Sequence, residues 1–322
     1  MRTSRMLAPG AVLLALIVSA CTPGGDGTTS PEQSTIGKPT VIIGSAGFDE
    51  SELMAEIYAQ ALEAAGYTVE RNLGIGTREQ TVPAITSGQI DLMPEYLGSM
   101  LRGGLGGQPT GDSEETAQLL ADAAAEEGLS ILDYAPAQDT NAFVVRQETA
   151  DQYELETLSD LAAVATDLRW GLPPECETNP LCAGVPPEDD PDGPREGGLA
   201  EYGISYDDLD VEPLAACDAP IASALNDGVV DVAELCSTQP AIGQFNFVVL
   251  EDDLSTQPAE NIVPLVRTEF LDAAPADFAE TLNAVSAALT TEILTRLGVE
   301  VSVQNRSVAD VAAEWLEDEG LI

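Results

Sequence analysis

The chain has 322 residues, with 56 acidic against 12 basic side chains, a net charge of −44 and no histidine. Such a surface repels phosphate backbones and anionic headgroups, which argues against nucleic acid as a partner. Without histidine, neither a Ser-His-Asp triad nor a His-ligated zinc can be assembled. The length suffices for one large or two ordinary α/β lobes with real cores.

Arg2 and Arg5 precede an apolar, small-residue stretch from Met6 to Ala20. It is too short to span a bilayer confidently, so residues 1–20 read as an export signal. Val18-Ser19-Ala20-Cys21 has the form of a lipobox, with ordinary cleavage and a bystander Cys21 as the alternative. On the first reading Cys21 carries a lipid, and residues 21–39, rich in Gly, Ser, Thr and Pro, are a flexible tether. The protein would then be extracytoplasmic, held by lipid on the outer face of the cytoplasmic membrane.

The β-branched run Thr40–Gly44 predicts a first strand. Asp49 and Glu52 have the spacing of an N-cap and capping box for a helix through Ala65, ended by Gly66. Tyr67–Leu73 is a second strand and Gly74–Thr77 a turn. The next helix runs to Ser87, with Pro83 expected to delay or kink it. A short strand, Ile90–Met93, follows Gly88; Pro94 stops it, and Glu95 and Tyr96 stand at its end. The phrase Gly-x-[Ile/Val]-Asp-[Leu/Val] at Gly88–Leu92 returns at Gly228–Val232, where a strand Val229–Leu235 leads to Cys236-Ser237-Thr238. Ligands of open α/β sheets sit at such carboxyl ends, so the repeat predicts two lobes facing one cleft.

Between the two copies lie a Gly-rich loop at Arg102–Asp112, a helix at Ser113–Gly128 and a strand at Leu129–Tyr134. Asp139 and Asn141 then sit on a segment that reads either as a crossover past the cleft or as a turn before a strand. Leu158–Val164 predicts a helix and Arg169–Leu172 a strand, followed by an irregular region through Gly198. Glu188, Asp190, Asp192 and Gly193 resemble the start of a calcium loop, but the twelfth position is Leu199, which favours a solvated acidic insertion over 185–198. Phe247–Leu250 and Ile262–Val266 are strands joined by a polar connection. Pro275–Leu297 predicts one long helix with Phe278, Leu282, Val285 and Leu289 on a face, and Val308–Glu319 a last helix ended by Gly320. These helices are expected on the first lobe, making lobe 1 residues 40–137 plus 251–322 and lobe 2 residues 138–250.

Apart from Cys21, four cysteines remain, and an even set in an exported chain reads as two disulfides. Of three pairings we favour Cys217–Cys236, at the close ends of a helix and its following strand, with Cys176–Cys182 as a local loop. A metal site of all four thiolates is the rival, without a CxxC knuckle to support it. No metal or cofactor is expected.

Ile43-Gly-Ser45 with Phe48-Asp-Glu50, Glu56-Ile-Tyr-Ala-Gln-Ala-Leu62, Gly76-Thr-Arg-Glu79, Pro94-Glu-Tyr-Leu-Gly98, Pro173-Pro-Glu175, Tyr202-Gly203, Ser237-Thr238 and Leu250-Glu-Asp-Asp253 together resemble the substrate-binding proteins of osmoprotectant ABC importers, of the glycine betaine/choline/carnitine/proline type. The resemblance runs from Val41 to Leu321. It implies an α/β, two-lobed, periplasmic-binding-protein-like (type II) fold with a ligand cleft between the lobes. It also implies a monomer that captures a small-molecule solute, delivers it to ABC permease and ATPase subunits, and performs no chemistry on it.

In that family tyrosines box a trimethylammonium head by cation–π attraction. Carried over, Tyr96 matches a cage tyrosine, Ser99 a hydroxyl one turn on, and Asp139 an acid beside the head group; Ser45, Phe48, Thr238 and Gln239 are further candidates. This sequence departs where Asn141 replaces an aromatic, Asn179 falls near an expected arginine, Ala46 stands for a lysine, Glu260 or Asn261 for a late tyrosine, and Cys236 for another. One aromatic wall with several amides predicts a polar solute and a weak carboxylate clamp. Phe48, Trp170, Tyr202 or Tyr206 could supply a second wall. Two other classes remain: a sensory or scaffold lipoprotein that kept the fold, and a secreted hydrolase built on Glu79, Glu95 and Asp139, which lacks an accompanying nucleophile-base pattern.

Overall fold

A computed structural model describes residues 38–187, 190 and 193–322. The signal, Cys21, the tether up to residue 37, and Glu188 and Asp192 of the calcium-like stretch lie outside the described residues.

Ten strands form two sheets. They are β1 (Thr40–Gly44), β2 (Thr68–Asn72), β3 (Leu92–Tyr96), β4 (Leu129–Ile131), β5 (Asn141–Val145), β6 (Arg169–Leu172), β7 (Asp210–Pro213), β8 (Val232–Cys236), β9 (Val248–Val249) and β10 (Ile262–Arg267). The sheet orders are β2-β1-β3-β10-β4 and β7-β6-β8-β5-β9. In each, three parallel strands are followed by one antiparallel strand and a short edge partner. Parallel neighbours need crossover connections, and the helices Asp49–Ala64 and Arg78–Thr86 supply them for β1, β2 and β3.

The helix Asp49–Ala64 buries Leu53, Ile57, Ala61 and Leu62. They share one core with Phe278, Leu282, Val285, Trp315 and Leu316, so the C-terminal helices pack with the first sheet. A separate core gathers Phe143, Trp170 and Leu172 around Cys176 and Cys182. Both expected disulfides are present, Cys176–Cys182 and Cys217–Cys236, with Cα separations of 5.1 and 5.0 Å.

Several local expectations are corrected. Asp49 is the first helical residue rather than the cap. Extended Phe48 occupies the cap position without a side-chain bond, and the Asp49 carboxylate accepts from Ser302 Oγ at 3.0 Å. The second helix begins at Arg78 because the Gln80 side chain accepts from the Thr77 N–H at 3.1 Å, and it runs through Pro83. Pro83 is exposed, so the Glu79 carbonyl that loses its donor can turn to water.

Pro94 does not end its strand; it pairs with Pro264 across β3 and β10. Facing prolines fit there because β1 meets β3 only at Ile43–Leu92 and β4 meets β10 only from Leu265 on, so neither missing N–H breaks a ladder. Arg102 lies in a helical turn that runs from Leu97 to Gly104, not in a loop. The expected long helix Pro275–Leu297 is two helices, Asp277–Ala288 and Thr291–Gly298. The helix Gln147–Tyr153 and the strand β7 carried no signal that singled them out.

Candidate functional site

Four segments converge where strands of both sheets end. The turn after β1 carries Phe48 and leads to Glu50 in the first helical turn; β3 ends on Tyr96; the connection into β5 carries Asp139; and β8 delivers Thr238 and Gln239. The rings of Phe48 and Tyr96 stack with centroids 6.3 Å apart and planes 26° from parallel. The Tyr96 hydroxyl donates to Glu50 Oε1 at 2.6 Å. The Thr238 N–H donates to Asp139 Oδ1 at 3.3 Å. Phe48, Glu50, Asp139, Thr238, Gln239 and Leu294 line a cavity of about 490 Å³. A second cavity of about 590 Å³ shares Gly47 and Phe48 with it and is walled by Arg78, Glu95 and Tyr96.

Among the described residues, no Arg or Lys lines the first cavity. Burial, then the charge of Asp139, pushes Glu50 up to about 8 against hydrogen bonds from Thr238 and Tyr96 that pull the other way. Burial also raises Asp139 above the usual carboxylate range, and burial followed by the Glu50 charge lifts the Tyr96 phenol. In the second cavity Arg78 is already committed, with Nη2 2.8 Å from Glu95 Oε2 and Nε 3.2 Å from both carboxylate oxygens.

Phe48, Tyr96, Asp139, Thr238 and Gln239 are thus brought together, while the remaining candidates are engaged elsewhere. Ser45 is buried, donates to the Ala46 carbonyl and accepts from Gly74 N, which fastens two turns to each other. Ser99 gives both its N–H and its hydroxyl to Glu260. Asn261 is buried between the Ala135 carbonyl and Ser113 Oγ. Asn179 accepts from Leu181 N in a tight turn of the disulfide loop. Asn141 opens β5 opposite Cys236 and lines a separate cavity of about 400 Å³ with Gln138, Ser237 and Gln257. Trp170 is fully buried in the second core, and the Tyr202 hydroxyl is bound to Asp252.

Glu50 was missed as a site residue, although it closes the Phe48-Asp-Glu50 phrase; its place one helical turn beside Tyr96 has no signature in residue spacing. Among the described residues, the one group able to gather metal ligands is Cys176, Cys182 and Glu234, and its two sulfurs are joined as a disulfide.

Two α/β sheets whose strand ends meet at a shared cavity define a two-lobed solute-binding protein of the type II periplasmic class. The sequence pattern of the substrate-binding domains of ABC-type glycine betaine transport systems matches residues 39–318, and the chain belongs to that family. It is 28% identical over 311 residues to a carnitine transport binding protein of Listeria monocytogenes, covering 94% of this chain and 92% of that one. It is 26% identical over 287 residues to a glycine-betaine-binding protein of Pseudomonas aeruginosa, covering 88% and 89%. The solved structure of a glycine betaine/carnitine/choline ABC transporter protein has the same fold, with a TM-score of 0.77 at 24% identity over 87% of this chain and 99% of that one.

The family is one of transport substrate-binding proteins rather than enzymes, and such components of ABC importers work outside the cytoplasm. Two disulfides suit that compartment. Among the described residues, no helix is long and apolar enough to cross a membrane.

Proposed function

We propose that this chain is a lipid-anchored receptor that captures a small osmolyte such as glycine betaine or choline and delivers it to the permease and ATPase of an importer. The lobes would be residues 40–137 plus 251–322 and residues 138–250, closing about the two connections between them. Anchoring rests on the Val18–Cys21 pattern. The observation that carries the solute reading is Phe48 stacked on Tyr96 where the two cavities adjoin, with Glu50 and Asp139 lining the one that has no basic side chain among the described residues. Ring faces attract an ammonium head, and the carboxylates supply its counter-charge. Phe48 is 45% exposed, which suits a ring waiting for an apolar or cationic partner better than a core residue.

Thermal melts of the full chain against betaine, choline, carnitine, proline and polar osmolytes test the reading, because a ligand bound only by the folded state raises the midpoint. One small solute is expected to raise it. Tyr96→Ala is expected to abolish the shift and Tyr96→Phe to retain most of it. A shift unchanged in Tyr96→Ala would mean the site is elsewhere.

A further inference from the structure

Besides Asp49, which Ser302 holds, the cavity offers two carboxylates, Glu50 and Asp139, where a single cationic head needs one. Glu50 comes from the first helical turn and Asp139 from the connection into β5, and both line the cavity with Thr238, whose N–H donates to Asp139 Oδ1 at 3.3 Å. The other groups facing the pair bring no positive charge. Tyr96 donates to Glu50, Asp49 is held by Ser302, and Cys217 and Cys236 are joined to each other. Behind Tyr96, Glu95 is neutralised by Arg78. Two like charges in one cavity, with no basic side chain among its described lining residues, disfavour joint ionisation.

We propose that the empty cleft holds one proton on the Glu50–Asp139 pair and releases it to solvent when a monocationic ammonium solute enters, making capture a cation-for-proton exchange. The charge balances: the pair goes from one negative charge to two as one positive charge arrives, and the proton leaves to water. Burial and the charge of Asp139 hold Glu50 near 8, so at neutral pH there is a proton to exchange. A zwitterion gains less, since its own carboxylate enters beside a pair that would become doubly charged. The inference rests on the cavity being the solute site, and it adds the charge class that the site selects.

The test is calorimetry of choline binding to the full chain at pH 7 in two buffers of different ionisation heat, with Kd followed from pH 6 to 9. Close to one proton released per choline is expected, with Kd falling about tenfold per pH unit up to about pH 8 and then levelling. Glu50→Gln keeps an oxygen for the Tyr96 hydroxyl, and it should bind more weakly with neither proton release nor slope. Choline bound without proton release and with a flat pH profile overturns the exchange and leaves the solute site standing. A slope unchanged in both Glu50→Gln and Asp139→Asn also overturns it. If no quaternary ammonium solute binds at any pH, the site reading falls, and the exchange falls with it.

Discussion

The two sheets repeat one plan at the start of their central strand and depart from it at the end. Asp91 and Asp231 occupy equivalent positions just before β3 and β8. Each gives its N–H to a neighbouring strand, to the Ile42 and the Arg169 carbonyl, both at 2.7 Å. Each carboxylate takes the N–H of that same residue, at 3.0 and 3.1 Å. Each also holds an arginine at the end of the antiparallel strand, Arg267 as the last residue of β10 at 2.7 Å and Arg146 just after β5 at 2.8 Å. Counting forward from these aspartates, Pro94 corresponds to Glu234 and Tyr96 to Cys236. The amino end is a rivet common to both halves, and the carboxyl end is where they divide the work. The first half supplies rings and Glu50; the second supplies Thr238 and Gln239 on a strand end tied down by Cys217–Cys236.

The sharpest way to break this equivalence is to cut the two rivets separately. The Asp91 side chain is 7% exposed and that of Asp231 is 33% exposed. Asp91→Ala removes a nearly buried carboxylate and leaves the Ile42 N–H unpaired, which is expected to cost about 3 kcal/mol, whereas loss of the more exposed Asp231 should cost about 1 kcal/mol; denaturant unfolding measures both. Equal losses would show that exposure does not distinguish the halves.

Next in size are the disulfides of the second half, which have no counterpart in the first. Cys217–Cys236 closes a sequence separation of 19 and Cys176–Cys182 one of 6. Paired Cys→Ser replacement should therefore cost about 3 and about 2 kcal/mol respectively. Only the first should weaken solute binding, because only it holds the strand end that carries Thr238.

Glu234 sharpens the comparison further, since proline stands at its counterpart. It is 1% exposed, and its near neighbour is Cys182 Sγ at 3.0 Å, a disulfide sulfur with no proton to give. Burial, then the charge of Glu175, pushes it up to about 7. A carboxyl raised in the folded state binds its proton more tightly there than in the unfolded chain. Its contribution is therefore whole below about pH 4.5 and is lost as pH climbs through about 7. Unfolding free energy should fall by roughly 2 kcal/mol from pH 5 to pH 8 on account of this group. Glu234→Gln should flatten that slope, and a slope equally steep in the variant would assign it to another group.

Much of this was legible in residue order. The repeated Gly-x-x-Asp phrase marked both central strands because an aspartate that rivets two strands must sit at a fixed step before each one. Cys217–Cys236 followed from a helix and the strand after it, and Cys176–Cys182 was the pair that remained. Tyr96 was a candidate from its place at a strand end and, with Asp139, from the resemblance. What was not legible depends on partners distant in sequence. Ser99 and Asn261 are polar residues near strand ends, yet Glu260 and Ser113 claim them. Asn141 points its polarity into a different cavity. Glu50 reads as one more acid in an acidic chain until Tyr96 is seen 2.6 Å away.

The smallest expected effect concerns the segment that only the first half carries. Phe278, Leu282, Val285 and Leu289 keep helical spacing and are all fully buried, which is why one helix was expected. The chain nevertheless turns extended at Leu289, whose carbonyl accepts from the Ala137 N–H at 3.0 Å, and Thr290 caps a new helix by accepting from Ile293 N at 3.3 Å. The redirected helix Thr291–Gly298 and the turn after it lie along Pro240–Phe245 of the second half, where a Cβ on Gly298 would sit 3.3 Å from Pro240 Cγ and one on Gly243 3.3 Å from Val299 Cγ2. The break thus brings the C-terminal segment of one half against the other beside the cavity. Thr290→Ala removes the cap and should cost about 1 kcal/mol in denaturant unfolding. If it costs nothing, the Leu289–Ala137 bond alone sets the break, and the variant Gly243→Ala becomes the sharper probe of how the halves meet.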